Sequence, residues 1–552
     1  DDDPCAPVVA TLHPKYTDVR NCLTSFPYNA FVANETVDLL KKYTSEFYVL
    51  FNQAREQEKP GFTFESVDLI EELDKIIKSN PKSEFEFMVI KVFDDLVDPT
   101  NIDCEVSFID SIPAFDAIKN FANNQSFISR DLGVRLNNAL TSISLVDGKP
   151  WVLGSEFTVR VDLPETDSIE YALICPNTVT KNVTREWFVT FLEFKGQNES
   201  FYKDFCLVNT GGPKTLEDLK VTKELNIVPY TFHPKVKEIL TKNPQPSNSV
   251  KLSKATLVFD AGNAQFYKSI NSDFGIIVLI SEVGDTESTL KGFKTLANDS
   301  SIKKLVIDIS NNPGGGIQYA QFIDALLVPS NFTPFPDDMN VQSDLVQKAI
   351  TQAFNKADPD PLDPIRLINF ITGKTYDSPE EFIGSNEFRR GGSLSKYSTK
   401  HFIDTDLSGL IKLPWDAENI IILSNGASGS AASLISQYLS EVGQIRTVSV
   451  GGFANQDLSF ASFTGGQVFD SFTMFQVLTN LDITDLPPLN SRYNNLGLTF
   501  TLKEAYSLKN PDTVLDFDFR PADHRLYYDA QNIRDPSLLW VEAANFINST
   551  SA

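Results

Sequence analysis

NIIILSNGASGSAASLISQYLSE, residues 419–441, is the stretch on which the fold turns. The apolar run 420–423 predicts a buried strand, the small residues after it a tight turn, and the apolar spacing beyond them a helix. A second segment has the same design. LVIDISNNPGGGIQYA, residues 305–320, reads as a buried strand, a Gly-rich turn and a helix. Glycine lets a backbone turn tightly and approach a ligand closely, and a helix start leaves N–H groups pointing outward. Together such turns make an oxyanion pocket and a place to present a hydroxyl. Neither segment carries G-K-[ST] or G-x-G-x-x-G, which speaks against a phosphate loop. Three serines crowd the turn of the 419–441 segment. Ser428 and Ser433 read as capping and small-residue packing, and Ser430 as the hydroxyl aimed beside the other Gly-rich turn.

Working outward, the α/β texture spans 255–552. FGIIVLIS reads as a buried strand and STLKGFKTLANDSSI as a helix ahead of the 305–308 strand, a spacing that argues for a parallel sheet. Residues 331–410 interrupt it and read as a loop-rich insertion. The acidic spacing in ADPDPLDP there hints at calcium, but no loop Gly or terminal Glu follows. Residues 1–145 read as a helical domain: NETVDLLKKYTSEFYVLFNQAREQ has helical periodicity with Asn34 as a cap candidate, and SVDLIEELDKIIKS repeats the pattern. Residues 146–254 are β-rich, with the alternating runs WVLGSEFTVRVDL, IEYALIC and REWFVTFLEF, and they close on the linker 241–254.

At 552 residues the chain is too long for one core, and a prior of ~150 residues per domain suggests three or four units. A hydrophobic content of 41% with 22% charged is ordinary for a globular protein. The formal net charge of −25 repels phosphate backbones and makes nucleic acid a poor partner. No apolar run approaches the ~18 residues of a membrane span. The beginning DDDPCAPVV, with no initiator Met, reads as a mature form whose signal peptide has been removed. Sequons at Asn34, Asn124, Asn182, Asn198, Asn298, Asn331 and Asn548 suit a secreted, extracellular glycoprotein bearing N-linked glycans. Of the five cysteines, Cys5 with Cys22 and Cys175 with Cys206 are plausible bridges by proximity, which leaves Cys104 over. The four histidines, His13, His233, His401 and His524, are far apart, nothing has metal-site spacing, and no cofactor is expected.

The segment LVIDISNNPGGG resembles the D-L-R-N-N-P-G-G signature of the S41 serine peptidases, the family of tail-specific peptidases and the chlamydial protease-like activity factor. NGASGSAAS stands where that family carries its nucleophile, and TVSVGGFANQ resembles the segment that follows. PCAPV with NCLTSFPYNA, and the C-terminal PPLNSRYNNLGLTFTL and FDFRPADHRLYY, are most similar to secreted fungal members. The resemblance implies an α/β multidomain fold: a crotonase/ClpP-like core, a helical N-terminal domain and a small β-rich PDZ-like module. It puts Ser430 at the nucleophile, Ala431 and Gly314 or Gly315 at the oxyanion, and a peptide or protein as substrate or ligand.

A serine hydroxyl needs a base. The family draws it from a Lys after the serine, or from a His in the N-terminal domain with a Glu near the C-terminal block. No Lys lies between Lys412 and Lys503. The corresponding N-terminal block, PTNIDCEVSF, has no His, and Glu105 takes its place; Arg520 falls closest to the Glu. A buried carboxylate such as Glu105, or His401 or His524 brought near by folding, is the remaining source of a base. The expectation is therefore a degenerate peptidase that retains nucleophile and oxyanion turns and acts as a binding or structural protein. The alternative is an active secreted endopeptidase with an atypical base.

Overall fold

The structure is a computed structural model that describes residues 4–9, 14–25, 28–55, 66–78, 92–93, 104–140, 142–146, 149–153, 156–157, 159–160, 164–176, 179–189, 252–330, 332–356, 362–484 and 498–548. Its architecture is mixed α/β with several cores.

The N-terminal third supplies helices α1 (Tyr16–Thr24), α2 (Ala30–Phe47) and α3 (Leu69–Lys78), strand β1 (Glu105–Ile109), then α4 (Ala114–Gln125) and α5 (Leu132–Ala139). The cap of α2 is Asn29, whose side chain accepts the Val32 N–H at 3.2 Å; Asn34 lies inside the helix, exposed. The chain leaves extended geometry one turn earlier than the apolar pattern suggests. Strands β2 (Ser168–Cys175) and β3 (Val179–Glu186) follow, and β1 pairs antiparallel with β2. That register puts Glu105 opposite Ile174 and so Cys104 beside Cys175. The disulfides are Cys5–Cys22, as proximity suggested, and Cys104–Cys175. The expected Cys175–Cys206 bridge is thus corrected: strand pairing across 71 residues outweighs nearness in sequence. Cys206 lies outside the described residues, as does most of the 241–254 linker.

From 255 the chain builds a seven-stranded sheet from β4 (Ala255–Asp260), β5 (Ala264–Ser269), β6 (Phe274–Leu279), β7 (Lys304–Asp308), β8 (Ile420–Ser424), β9 (Arg446–Val450) and β12 (His524–Leu526), in that spatial order. Strands β4, β5 and β6 pair antiparallel, and β6, β7, β8, β9 and β12 pair parallel. Alternate residues of β6, β7 and β8 serve opposite faces. Ile277, Ile307 and Ile422 pack under α6 (Thr286–Ala297), α7 (Ile317–Leu327) and α9 (Ser430–Glu441). Ile276, Val306 and Ile421 pack under α10 (Pro536–Asn545), around Trp540. Burial on both faces is why these strands read as continuous apolar runs.

Residues 331–410 are more ordered than their loop-rich reading. They carry helix α8 (Asp344–Lys356), which buries Val346, Ala349, Ile350 and Ala353 against Leu39, Tyr43 and Phe47 of α2. That spacing is helical; the surrounding Pro and Asp clusters masked it. A hairpin of β10 (Val468–Asp470) and β11 (Thr499–Thr501) stacks Phe500 on Phe47, with centroids 5.9 Å apart. Among the described residues no helix is long and apolar enough to cross a membrane.

Candidate functional site

Ligand sites in open parallel sheets form beyond the carboxyl ends of the strands. Here three adjacent strands end together. The segment after β6 carries Ser281, Glu282 and Val283; the turn after β7 carries 311–316; the turn after β8 carries 425–430. Side-chain amides join them. Asn311 and Asn425 bond reciprocally: the Asn311 N–H donates to Asn425 Oδ1 (3.1 Å), and Asn425 Nδ2 donates to Asn311 Oδ1 (2.7 Å). Asn312 ties all three ends. Its Nδ2 donates to the Leu279 carbonyl (2.9 Å) and to Glu282 Oε1 (2.8 Å), its Oδ1 accepts the Gly314 N–H (2.9 Å), and its carbonyl accepts the Gly429 N–H (2.9 Å).

The three serines separate cleanly. Ser428 is fully buried, and its Oγ donates to the Ile309 carbonyl at 2.7 Å. Ser433 is fully buried and accepts from Gln437 Nε2 at 2.9 Å. Ser430 opens α9, half-buried, with φ 52° and its N–H on the Phe463 carbonyl at 2.7 Å. Its Oγ has no hydrogen-bond partner among the described residues. A left-handed φ on a non-glycine residue costs about 1–2 kcal/mol, which the surrounding contacts must offset.

The two Gly-rich turns touch. Gly314 has φ 103°, and a β-carbon there would stand 2.5 Å from Ser430 Cβ and 3.0 Å from the Ala431 nitrogen. A β-carbon on Gly315 would stand 2.5 Å from the Glu282 carbonyl carbon. The Gly314 N–H is already taken by Asn312. The N–H groups of Gly315 and Ala431 have no acceptor among the described residues. The structure thus brings Ser430, Gly314, Gly315 and Ala431 together.

It does not bring Glu105 with them. Glu105 lies exposed on β1, next to the Cys104–Cys175 bridge, and does not line the cleft over Ser430. His401 is buried, with its ring 5.1 Å from Phe382, and burial pushes its pKa well below the usual value. His524 is stacked on Phe546 on the last strand of the sheet. Arg520 pairs with Glu441 (2.5 Å) and Asp518 (2.6 Å). His13 and His233 lie outside the described residues.

Above Ser430 opens a cleft of about 1270 Å³. Leu69, Leu73 and Ile76 of α3 form one wall and Val468, Leu498 and Phe500 another, with Gly314, Gly315 and Ser430 as floor. These walls were not legible in the sequence, because α3 and the β10–β11 hairpin meet only where both pack on α2. Helix α5 supports the floor from the N-terminal side: Asn137 Nδ2 donates to the carbonyls of Asn425 (2.7 Å) and Val450 (3.0 Å), and its Oδ1 accepts the Gly452 N–H (2.8 Å). Glu282 was also missed. It is 2% exposed, and burial raises its carboxyl to about 8 against the opposing Asn312 bond. Its place beyond the end of a parallel strand was the available signal.

In sequence the chain is 25% identical over 305 residues to the Peptidase S41 family protein ustP of Aspergillus flavus, a match that takes in 46% of this chain and 63% of that protein. The chain thus covers less than two thirds of that relative's length. In fold it is similar to mature CPAF, with a TM-score of 0.51 at 12% identity over 95% of this chain and 99% of that one. A point mutant of CPAF gives 0.53 over the same shares. No protein-family model matches the chain.

Proposed function

We propose that this chain, an S41 relative in sequence with a CPAF-like fold, is a secreted glycoprotein that captures peptides over Ser430 without cleaving them. In this reading residues 1–145 are the helical domain, 146–254 the PDZ-like module and its linker, and 255–552 the crotonase/ClpP-like core. The Ala431 and Gly315 N–H groups cradle a peptide carbonyl beside the Ser430 hydroxyl. The observation that carries the proposal is the isolation of Ser430 Oγ: nothing among the described residues hydrogen-bonds it, and neither the Lys nor the His of the family pattern has a counterpart in the sequence. Two disulfides, and exposed asparagines at the sequons Asn34, Asn124, Asn182 and Asn298, support secretion and glycosylation. Asn198 and Asn331 lie outside the described residues and belong to the same proposal.

A second reading, an active endopeptidase with Ser430 as nucleophile, is favoured by the left-handed backbone retained at Ser430. One experiment separates the two. Folded protein is incubated with a fluorophosphonate probe and with fluorescent peptides from acid to neutral pH. Saturable peptide binding with no labelling and no cleavage is expected. Cleavage that disappears in Ser430→Ala overturns the capture reading in favour of the peptidase.

A further inference from the structure

Glu282 sits beneath Gly315, which lines the cleft, and the capture of a peptide carbonyl does not use its side chain. Its backbone brackets Gly315: its N–H donates to the Gly314 carbonyl (3.2 Å), and its own carbonyl accepts the Gly316 N–H (3.0 Å). Ser281 and Val283 on either side line the cleft, so alternation turns the Glu282 side chain inward. Inside, Oε1 meets Asn312 Nδ2 at 2.8 Å, and Oε2 is buried with no hydrogen-bond partner. Gly315 cannot be larger, because a β-carbon would collide with Glu282 itself.

We propose that Glu282 is a positioning residue: through Asn312 it holds the Gly314–Gly315 turn and the Gly429 start of the serine helix in one register, and so sets the gap between the two carbonyl-binding amides. The chain of contacts is short. Glu282 Oε1 orients the Asn312 side chain, whose Oδ1 fixes the Gly314 N–H, while the Asn312 carbonyl holds the Gly429 N–H. The inference rests on the capture reading for its purpose, but not for its test.

Burial favours the neutral acid here. Among the described residues the titratable groups that face Glu282 are Asp324 and Tyr319, both on α7, and Asp285 at the start of α6 faces Tyr319; none of these is a cation. Ionised, Glu282 would hold a buried charge with the Asn312 amide as its side-chain donor, and an uncompensated buried charge is relieved by rearrangement or by water entering. The turn should therefore loosen as pH rises through about 8.

Hydrogen–deuterium exchange on the full chain tests this. In the wild type, protection of the amides in 312–316 and 429–432, corrected for intrinsic exchange, is expected to fall about tenfold between pH 6 and pH 9, the weight of one buried hydrogen bond. Glu282→Gln keeps the acceptor without the charge and should hold protection level across that range. Glu282→Ala should be poorly protected throughout. A Glu282→Gln profile that follows the wild type overturns the proposal, as does wild-type protection in Glu282→Ala. If Glu282→Ala does not fold, the glutamine profile decides alone. Peptide binding by the wild type is read separately, so a chain that captures no peptide refutes the function without touching this result.

Discussion

Ser430 holds a left-handed backbone at the start of its helix. Replacing it with glycine frees the backbone at φ 52°, whereas alanine keeps the same conflict between Cβ and carbonyl. Ser430→Gly should therefore be more stable than Ser430→Ala by about 1 kcal/mol, measured as the shift in urea midpoint at constant m-value. Equal stabilities would mean that the helix start relaxes once the hydroxyl is gone. The prominence of Ser430 was legible, because apolar runs, glycines and a helical pattern are local signals. Glu282 was not, because a glutamate after a strand looks solvated until Gly315 closes over it. The partner of Cys104 was likewise hidden, since it depends on which strands pair.

At the scale of elements, α3 is the informative one. None of its residues is buried, yet Leu69, Leu73 and Ile76 form an apolar face turned to the cleft, and a Lys41–Asp74 ion pair ties it to α2. A helix that leaves such a face without a core partner contributes little to stability and much to a ligand. Leu73→Asp should weaken peptide capture about tenfold or more while leaving the thermal midpoint nearly unchanged, checked by fluorescence anisotropy and calorimetry. A midpoint that drops with no change in affinity would assign α3 to the fold. The helical pattern of α3 was readable in SVDLIEELDKIIKS. Its role was not, because the other wall comes from residues some 400 positions later in the chain. The alternating β-rich runs and the parallel strands were equally readable, whereas α8 lay hidden among breakers that flank it but do not interrupt it.

For the whole molecule the decisive feature is buried acid. Burial raises Glu282 to about 8 and Glu504 to about 7. Asp337 also rises to about 7 by burial, against Lys503 beside it, and Asp324 and Asp338 are pushed well above the usual carboxylate range by burial first. Each keeps in the folded chain a proton that the unfolded chain releases above pH ~4.5, so stability falls as pH rises toward the folded value. His401 acts in the opposite sense, because the unfolded chain gains its proton only below pH ~6.5. Lys503, lowered to about 8 by burial, enters only above that. Between pH 6.5 and 8 the carboxylates therefore stand alone, and a net charge of −25 adds repulsion in the same direction. Unfolding free energy from urea titrations should decline across that interval by more than the ~1.4 kcal/mol per pH unit that one such group produces. The protein should be most stable on the acidic side of neutrality. Constant or rising stability toward pH 8 would mean that these carboxylates are ionised in the folded state, and the neutral acid beneath Gly315 would fail with them.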